Sequence, residues 1–306
     1  MRRLSVITVV LLLAGCGTGA ATARTSGASP RARTPARARP AAQPRRARRI
    51  QHVVWIWFEN EGQSNVIGNG CCGYFTHLAR TYGTATHYYA IGHYSADNYT
   101  GATSGSPCCF DDSYRQLSHQ SIFSQLPNGQ SRSLEESMPF PCDPGNSATY
   151  AVRHNPEAYF ARTLGRGQCA RYDTPYRTGS RPDLSAKFTF VTPNLCNDAH
   201  NCSAATADRW LAREMPLFMS TPQYRSRTTV IFVTFDESSS SPAQGPTAPP
   251  HNRVPMIVVS PGSRGQDATR WTHYSLLATT EQIFGLPKLG RASSAPTMCG
   301  HLGLVC

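Results

Sequence analysis

Beyond its first sixteen residues the chain has no run approaching 18 apolar residues, so no later segment is long and apolar enough to span a bilayer as a helix. It shows no internal repeat, which excludes solenoid and propeller architectures, and no second linker. Residues 17–49 contain no acidic residue. Of the net charge of +12, two arginines before residue 17 and nine within 17–49 account for all but +1. The remainder of the chain therefore lacks the basic face that a nucleic-acid-binding surface requires. The adjacent cysteines 71/72 and 108/109 lack the spacing of a zinc knuckle.

The ends of the chain have their own logic. Residues 1–16, MRRLSVITVVLLLAGC, combine two arginines, an apolar stretch and Leu13-Ala14-Gly15-Cys16, the form of a signal peptide. The Leu-Ala-Gly-Cys ending resembles the bacterial lipobox, which implies cleavage before Cys16 and acylation of its thiol and amino group. The expected location is the bacterial cell envelope, lipid-anchored outside the cytoplasm or secreted. Residues 17–49, rich in Arg, Ala and Pro, cannot bury enough apolar surface to order themselves and read as a disordered tether. Such a tail is attracted to anionic lipid or cell-wall polymer, or serves as a solvated spacer. Residues 50–306 suffice for one α/β domain.

Of the eleven cysteines, setting aside Cys16 leaves ten, an even number that in an exported chain argues for disulfides. Short loops favour Cys196 with Cys202 and Cys299 with Cys306. The neighbours 71/72 and 108/109 are expected to bridge each other, leaving Cys142 with Cys169.

Two apolar runs carry most of the fold signal. HVVWIWF (52–58) breaks into Glu59-Asn60, and TVIFVTF (229–235) breaks into Asp236-Glu237. Each reads as a strand buried on both faces. Further strands are expected at 84–91, 187–191 and 254–259. Helices are expected at 74–82, from Ser95 to near Gly105, and at 121–126, 150–162, 203–219 and 273–284, with 131–138 mixed and a loop at 238–252. This alternation predicts a three-layer α/β sandwich with a mainly parallel central sheet. In such sheets ligands gather at the carboxyl edge, where grouped carboxylates repel unless a cation or protons hold them. An acid after a strand is also an ordinary helix N-cap. Ser95, opening a helix rich in small residues, lies where backbone N–H groups favour an anion, and it is equally a plain N-cap.

Five blocks in order extend over most of residues 52–290: HVVWIWFENEGQSNVIGN (52–69), HYSADNYTGATSG (93–105), HNP (154–156), FVTPNLCNDAHNCSAATADRWL (190–211), and VTFDE with NRVPMIVVSPG and HYSLLATTEQIFGLPKLG (233–290). Together they resemble the phosphoesterase family of bacterial and fungal acid phosphatases and phospholipases C, in the alkaline-phosphatase-like superfamily. That resemblance implies a metal-dependent phosphoric-ester hydrolase. Ser95 matches the nucleophile and Asn98 a phosphoryl-oxygen contact. Glu59 and Asn60 match the first-strand metal and phosphate ligands, Asp198 and His200 the aspartate and histidine of a metal or leaving-group site, Asp236 and Glu237 the strand-end ligands of one or more divalent metal ions, and His273 the late family histidine; in the expected path His200 or His273 assists the leaving oxygen. His154 matches a further family histidine.

The implied substrate is a small-molecule or lipid phosphoester. An acid-phosphatase-type phosphomonoesterase leads. A phospholipase C or phosphodiesterase, or a non-catalytic lipoprotein binding phosphorylated polymers, is the alternative. Two positions depart from the family pattern: Asp97 beside the expected nucleophile, and Glu61 where relatives often carry histidine. His93, two residues before Ser95, points either into the site or into polar packing. His52, His77, His87, His119, His251 and His301 read as surface or structural residues.

Overall fold

A computed structural model describes residues 49–239 and 252–306. Cys16, the leader and residues 17–48 of the tether lie outside the described residues, as do His251 and most of the loop expected at 238–252. Eight strands form one sheet: β1 His52–Phe58, β2 Gly83–Tyr89, β3 Ser131–Glu136, β4 Asp173–Tyr176, β5 Phe188–Thr192, β6 Thr229–Phe235, β7 Met256–Val259 and β8 Gly265–Thr272. Their order is β4-β3-β5-β1-β6-β7-β2-β8. Every neighbouring pair is parallel except those of β7, which runs against both β6 and β2.

The alternation of β1 shows why this is a three-layer fold. Trp55 donates its indole N–H to Thr280, and the Trp57 ring meets those of Tyr99 and His273. These partners lie on helices Ser95–Ser104 and His273–Phe284. Phe58 points the other way, to Phe75 and Trp210, on helices Gly73–Thr81 and Ala204–Met219. With side chains alternating at a period of two, a strand buried on both faces must be apolar throughout. Truncating a fully buried Trp55 or Trp57 would cost about 3–5 kcal/mol. No helix among the described residues is long and apolar enough to cross a membrane.

The strongly apolar strands and long helices lie close to their expected bounds. Three strands escaped the periodicity. β8 is mostly exposed along one sheet edge and carries no apolar alternation; β4 is four residues long with Pro175 on the opposite edge, where a missing N–H is tolerated; and β3 falls within 131–138, whose sequence pattern is mixed. The helix expected at 150–162 is instead a 3₁₀ turn, Val152–His154, followed by short helices Pro156–Tyr159, Ala161–Leu164 and Arg166–Tyr172. Pro156 keeps the preceding Asn155 out of the helical region, and Gly165, at φ +85°, ends the third piece. That break turns His154 toward the carboxyl edge of the sheet. All five expected disulfides are formed: 71–72, 108–109, 142–169, 196–202 and 299–306.

Candidate active site

The register of the two central strands builds the site. β1 and β6 pair from His52 with Thr229 through Phe58 with Phe235, so the acids that follow, Glu59-Asn60 and Asp236-Glu237, emerge side by side. The Asp236 N–H donates to the Phe58 carbonyl at 2.9 Å. Asp236 Oδ1 in turn accepts from the Asn60 N–H at 3.0 Å and the Glu237 N–H at 2.6 Å. Asn60 holds a left-handed φ of +57°, a conformation asparagine tolerates better than most residues. From the loop after β5, the Asp198 carbonyl accepts the Glu59 N–H at 2.8 Å.

Ser95 stands at the start of its helix, after the loop leaving β2. Its hydroxyl donates to Glu59 Oε2 at 3.1 Å. One turn later on the same helix face, the Tyr99 hydroxyl donates to Glu59 Oε1 at 2.7 Å. Thirty-six residues apart in sequence, Ser95 and Glu59 are thus in direct contact. His154 stacks on Tyr99 with ring centroids 5.4 Å apart. Its Nε2 lies 3.4 Å from Glu59 Oε2, and its Nδ1 lies 3.2 Å from Asp198 Oδ2.

These atoms are close but incompletely satisfied. His154 Nε2, Asp198 Oδ2 and Asp236 Oδ2 are buried without an aligned hydrogen-bond partner. Such orphans are uncommon and call for an explanation. Burial, reinforced by Asp236 and Asp198, raises the Glu59 carboxyl well above its ordinary range. Burial does the same to Asp198. Burial and the neighbouring Glu237 push Asp236 up to about 7, and burial with the charge of Asp112 pushes Glu237 up to about 8. Burial, helped by Arg153 and His200, keeps the His154 imidazole neutral. Glu59, His154 and His200 each bring one ligand atom within 4.8 Å of the others. Carboxylate oxygens and the His154 imidazole, facing one another with buried atoms left unpaired, suit a divalent cation accepting mixed N/O ligands.

Two other acid-and-cysteine groupings, Asp97 with Cys108 and Cys109, and Asp173 with Cys142 and Cys169, have their sulfurs in disulfides.

The remaining sequence-selected residues hold distinct places. Asn98 is fully buried and clamps the loop before Ser95: its Oδ1 accepts from Ile91 N and Gly92 N, and its Nδ2 donates to the Gly92 carbonyl and to Glu237 Oε2 at 3.1 Å. His273 has both ring nitrogens engaged. Nε2 donates to the Asp236 backbone carbonyl at 2.7 Å, which leaves Nδ1 to accept from the Tyr88 hydroxyl at 2.9 Å. Burial lowers its pKa to about 4, so it is a neutral prop behind Asp236.

His200 accepts from Arg153 Nη2 at 3.0 Å and meets Asn201 Oδ1 at 2.7 Å, while its backbone N–H donates to Asp198 Oδ1 at 2.7 Å. Ala199 between them holds φ +83°. His93 lies beside the site, with Nδ1 3.7 Å from Glu237 Oε2 and Nε2 buried without a partner. Asp97, the departure beside Ser95, accepts the N–H groups of Cys109 and Phe110 and so fixes that loop. Glu61 accepts from Asn65 Nδ2.

Tyr99, Arg153 and Asp112 belong to the site but lie outside the sequence-selected set. Tyr99 was legible as the i+4 neighbour of Ser95. Arg153 and Asp112 carried no such signal. Asp112 Oδ1 accepts the Ala96 N–H at 3.2 Å at the start of the Ser95 helix, and its Oδ2 lies 4.0 Å from Arg153 Nε. The chain's own carboxylate thus sits at the positive end of that helix.

Residues 146–287 match the Phosphoesterase family. The chain is 27% identical over 264 residues to a phosphatidylinositol-3-phosphatase of Mycobacterium tuberculosis, covering 80% of each chain. It is 29% identical over 227 residues to a phosphate-repressible acid phosphatase of Penicillium chrysogenum, covering 67% of this chain but 53% of that one. The chain therefore spans about half the length of this fungal relative. In fold it is similar to an alkaline phosphatase superfamily protein from Vibrio parahaemolyticus, with a TM-score of 0.56 at 12% identity over 81% of this chain and 70% of the other. The lipoteichoic acid synthase LtaP of Listeria monocytogenes aligns with a TM-score of 0.54 at 10% identity, over 80% and 76%.

Proposed function

Because the chain belongs to the phosphoesterase family and carries the alkaline-phosphatase-like fold, we propose that it is a metal-dependent phosphoric-ester hydrolase, an acid-phosphatase-type phosphomonoesterase acting through Ser95. The observation that carries this reading is the Ser95 hydroxyl 3.1 Å from Glu59 Oε2, among the acids of two paired strand ends. We further propose that the protein works at the bacterial cell envelope, held by a lipid on Cys16.

Glu59, Asp198, Asp236, His154 and His200 would hold one or more divalent ions, with Asn60 and Glu237 flanking them. A bound cation offsets the charge on the phosphoryl oxygens and favours the ionised form of a nearby hydroxyl. Ser95 Oγ attacks phosphorus as the bond to the leaving oxygen breaks; the serine proton passes to the carboxylate it already touches, and the departing alcohol takes a proton from water. The hydroxide so formed then cleaves the phosphoseryl ester, releasing phosphate as the proton taken by Glu59 returns to the serine oxygen. Arg153, 23% exposed at the edge of the site, supplies a guanidinium suited to a phosphoryl oxygen. Asn98 and His273 act as positioning residues, Asn98 through the loop before Ser95 and Glu237, His273 through the Asp236 backbone.

The test is turnover of an aryl phosphate monoester by the purified full chain, beside a bis-aryl phosphate and phosphatidylcholine. The expected result is preference for the monoester and a loss of roughly 10³-fold or more in Ser95→Ala. That variant should keep its melting temperature within a few degrees, because it removes a single hydrogen bond. Undiminished turnover in Ser95→Ala would remove serine from the mechanism. A preference for the diester or the phospholipid would favour the phosphodiesterase or phospholipase C reading.

A further inference from the structure

A cavity of about 780 Å³ lies outside the catalytic cluster. It is within the roughly 300–1,000 Å³ typical of small-molecule sites. Its apolar lining includes Tyr114, Phe140, Pro141, Pro144 and Ala170. Phe140 is 55% exposed, one of three large hydrophobic side chains so exposed among the described residues. An apolar side chain left in water beside a concave apolar surface marks a place where a ligand can recover that contact.

The walls are held in place. The loop carrying Phe140 and Pro144 is tied by the Cys142–Cys169 disulfide to the helix that carries Ala170. Opposite, the Tyr114 hydroxyl and Gln116 Nε2 both donate to the Ala158 carbonyl. A groove cross-linked on one side and hydrogen-bonded on the other exists before a ligand arrives, which lowers the ordering cost of binding.

Its charge is one-sided. Arg162 and Arg166, both exposed, line the same cavity, and no acidic residue is among the described residues lining it. Neither arginine has an ion-pair partner among the described residues. A guanidinium pair beside an apolar trough matches a ligand with a compact anion at one end and an alkyl chain behind it.

We propose that this groove is a binding site for a single-chain fatty-acid-type amphiphile, with its carboxylate at Arg162 and Arg166 and its alkyl chain along Phe140, Pro144 and Ala170. The site is separate from the hydrolytic centre, and the proposal stands whether or not Ser95 is a nucleophile.

The experiment uses the full chain, so that the arginine-rich segment is the same in every sample. Binding of a dansyl-labelled undecanoate is followed by fluorescence and competed with laurate or dodecanol, all below their aggregation limits. Arg162→Glu with Arg166→Glu reverses the charge, and Ala170→Trp fills the trough from an exposed position. The wild type should bind one probe per chain, and laurate should displace it at least tenfold better than dodecanol. Both variants should weaken binding at least tenfold while melting temperature and aryl phosphate turnover stay at wild-type values. Equal probe affinity in wild type and both variants, or equal displacement by dodecanol, would overturn the proposal. If both variants fail to fold, Pro144→Glu, at an exposed loop position, supplies the decision by the same tenfold criterion.

Discussion

Crowded carboxylates make stability in the absence of divalent ions depend on pH in a direction opposite to that of most folded proteins. Asp236 is fully buried and its pKa is pushed up to about 7, whereas in an unfolded chain it would titrate near the ordinary aspartate value of 3.8. The folded form therefore keeps a proton that the unfolded form has already released. Stability from this group is full below about pH 4, declines as pH rises toward 7, and levels off above it. At 1.36 kcal/mol for each tenfold change in proton affinity, Asp236 alone accounts for about 4 kcal/mol. Glu237, pushed up to about 8, acts in the same sense, but the two acids are neighbours and their contributions do not simply add.

In a domain of this size 1 kcal/mol moves the melting temperature by about 2–4 °C. Between pH 4.5 and pH 7.5 about 3 of those 4 kcal/mol are lost, so in excess chelator the melting temperature should fall by roughly 6–12 °C on the Asp236 effect alone. A divalent ion should restore most of that loss at pH 7.5 and little at pH 4.5, because protons and cation compete for the same oxygens. Scanning calorimetry with and without chelator at both pH values measures it, and Asp236→Asn in chelator should flatten the profile. A melting temperature that rises toward pH 7.5 in chelator, or is unmoved by every divalent ion tried, would refute the view that a cation holds these acids together.

Two more expectations concern single groups. Tyr99→Phe removes the 2.7 Å hydrogen bond to Glu59 Oε1 and leaves that buried oxygen without its donor, a cost of about 1–3 kcal/mol. Aryl phosphate kcat/KM should fall about tenfold with the apparent affinity for the activating ion altered, and unchanged ion titration curves would deny Tyr99 this role. Ala199→Gly relieves a left-handed φ of +83° that costs alanine roughly 1–2 kcal/mol. Calorimetry should show a gain of about 1 kcal/mol, with lower turnover because Asp198 and His200 are held less firmly; a lower melting temperature would show that the turn is not strained.

Fold and site were legible to different depths for reasons that can be traced to particular residues. β1 and β6 announced themselves because a strand buried on both faces must be apolar at every position. The ten cysteines of 50–306 paired as short loops and remainder suggested. β8 and β4, at the sheet edges, had no such requirement, and one helix expectation failed at Asn155-Pro156. The acids after β1 and β6 and the serine after β2 were visible as residues at strand ends, and the family resemblance ranked them.

Local pattern in the sequence determined the strands buried on both faces, the acids that follow them, and which cysteines are near enough to join, since each depends on neighbours along the chain. Only the tertiary structure decided what those groups do to one another. The β1–β6 register sets Glu59 beside Asp236, and a helix begun at Ser95 brings Tyr99 onto the same carboxylate. The fold also assigns Asp97 to loop anchoring, closes both nitrogens of His273 with hydrogen bonds, and places Arg153 against His200. Charge interaction, desolvation and hydrogen-bond saturation depend on distance in space, and residues scattered over more than 200 positions acquire those distances when the sheet assembles.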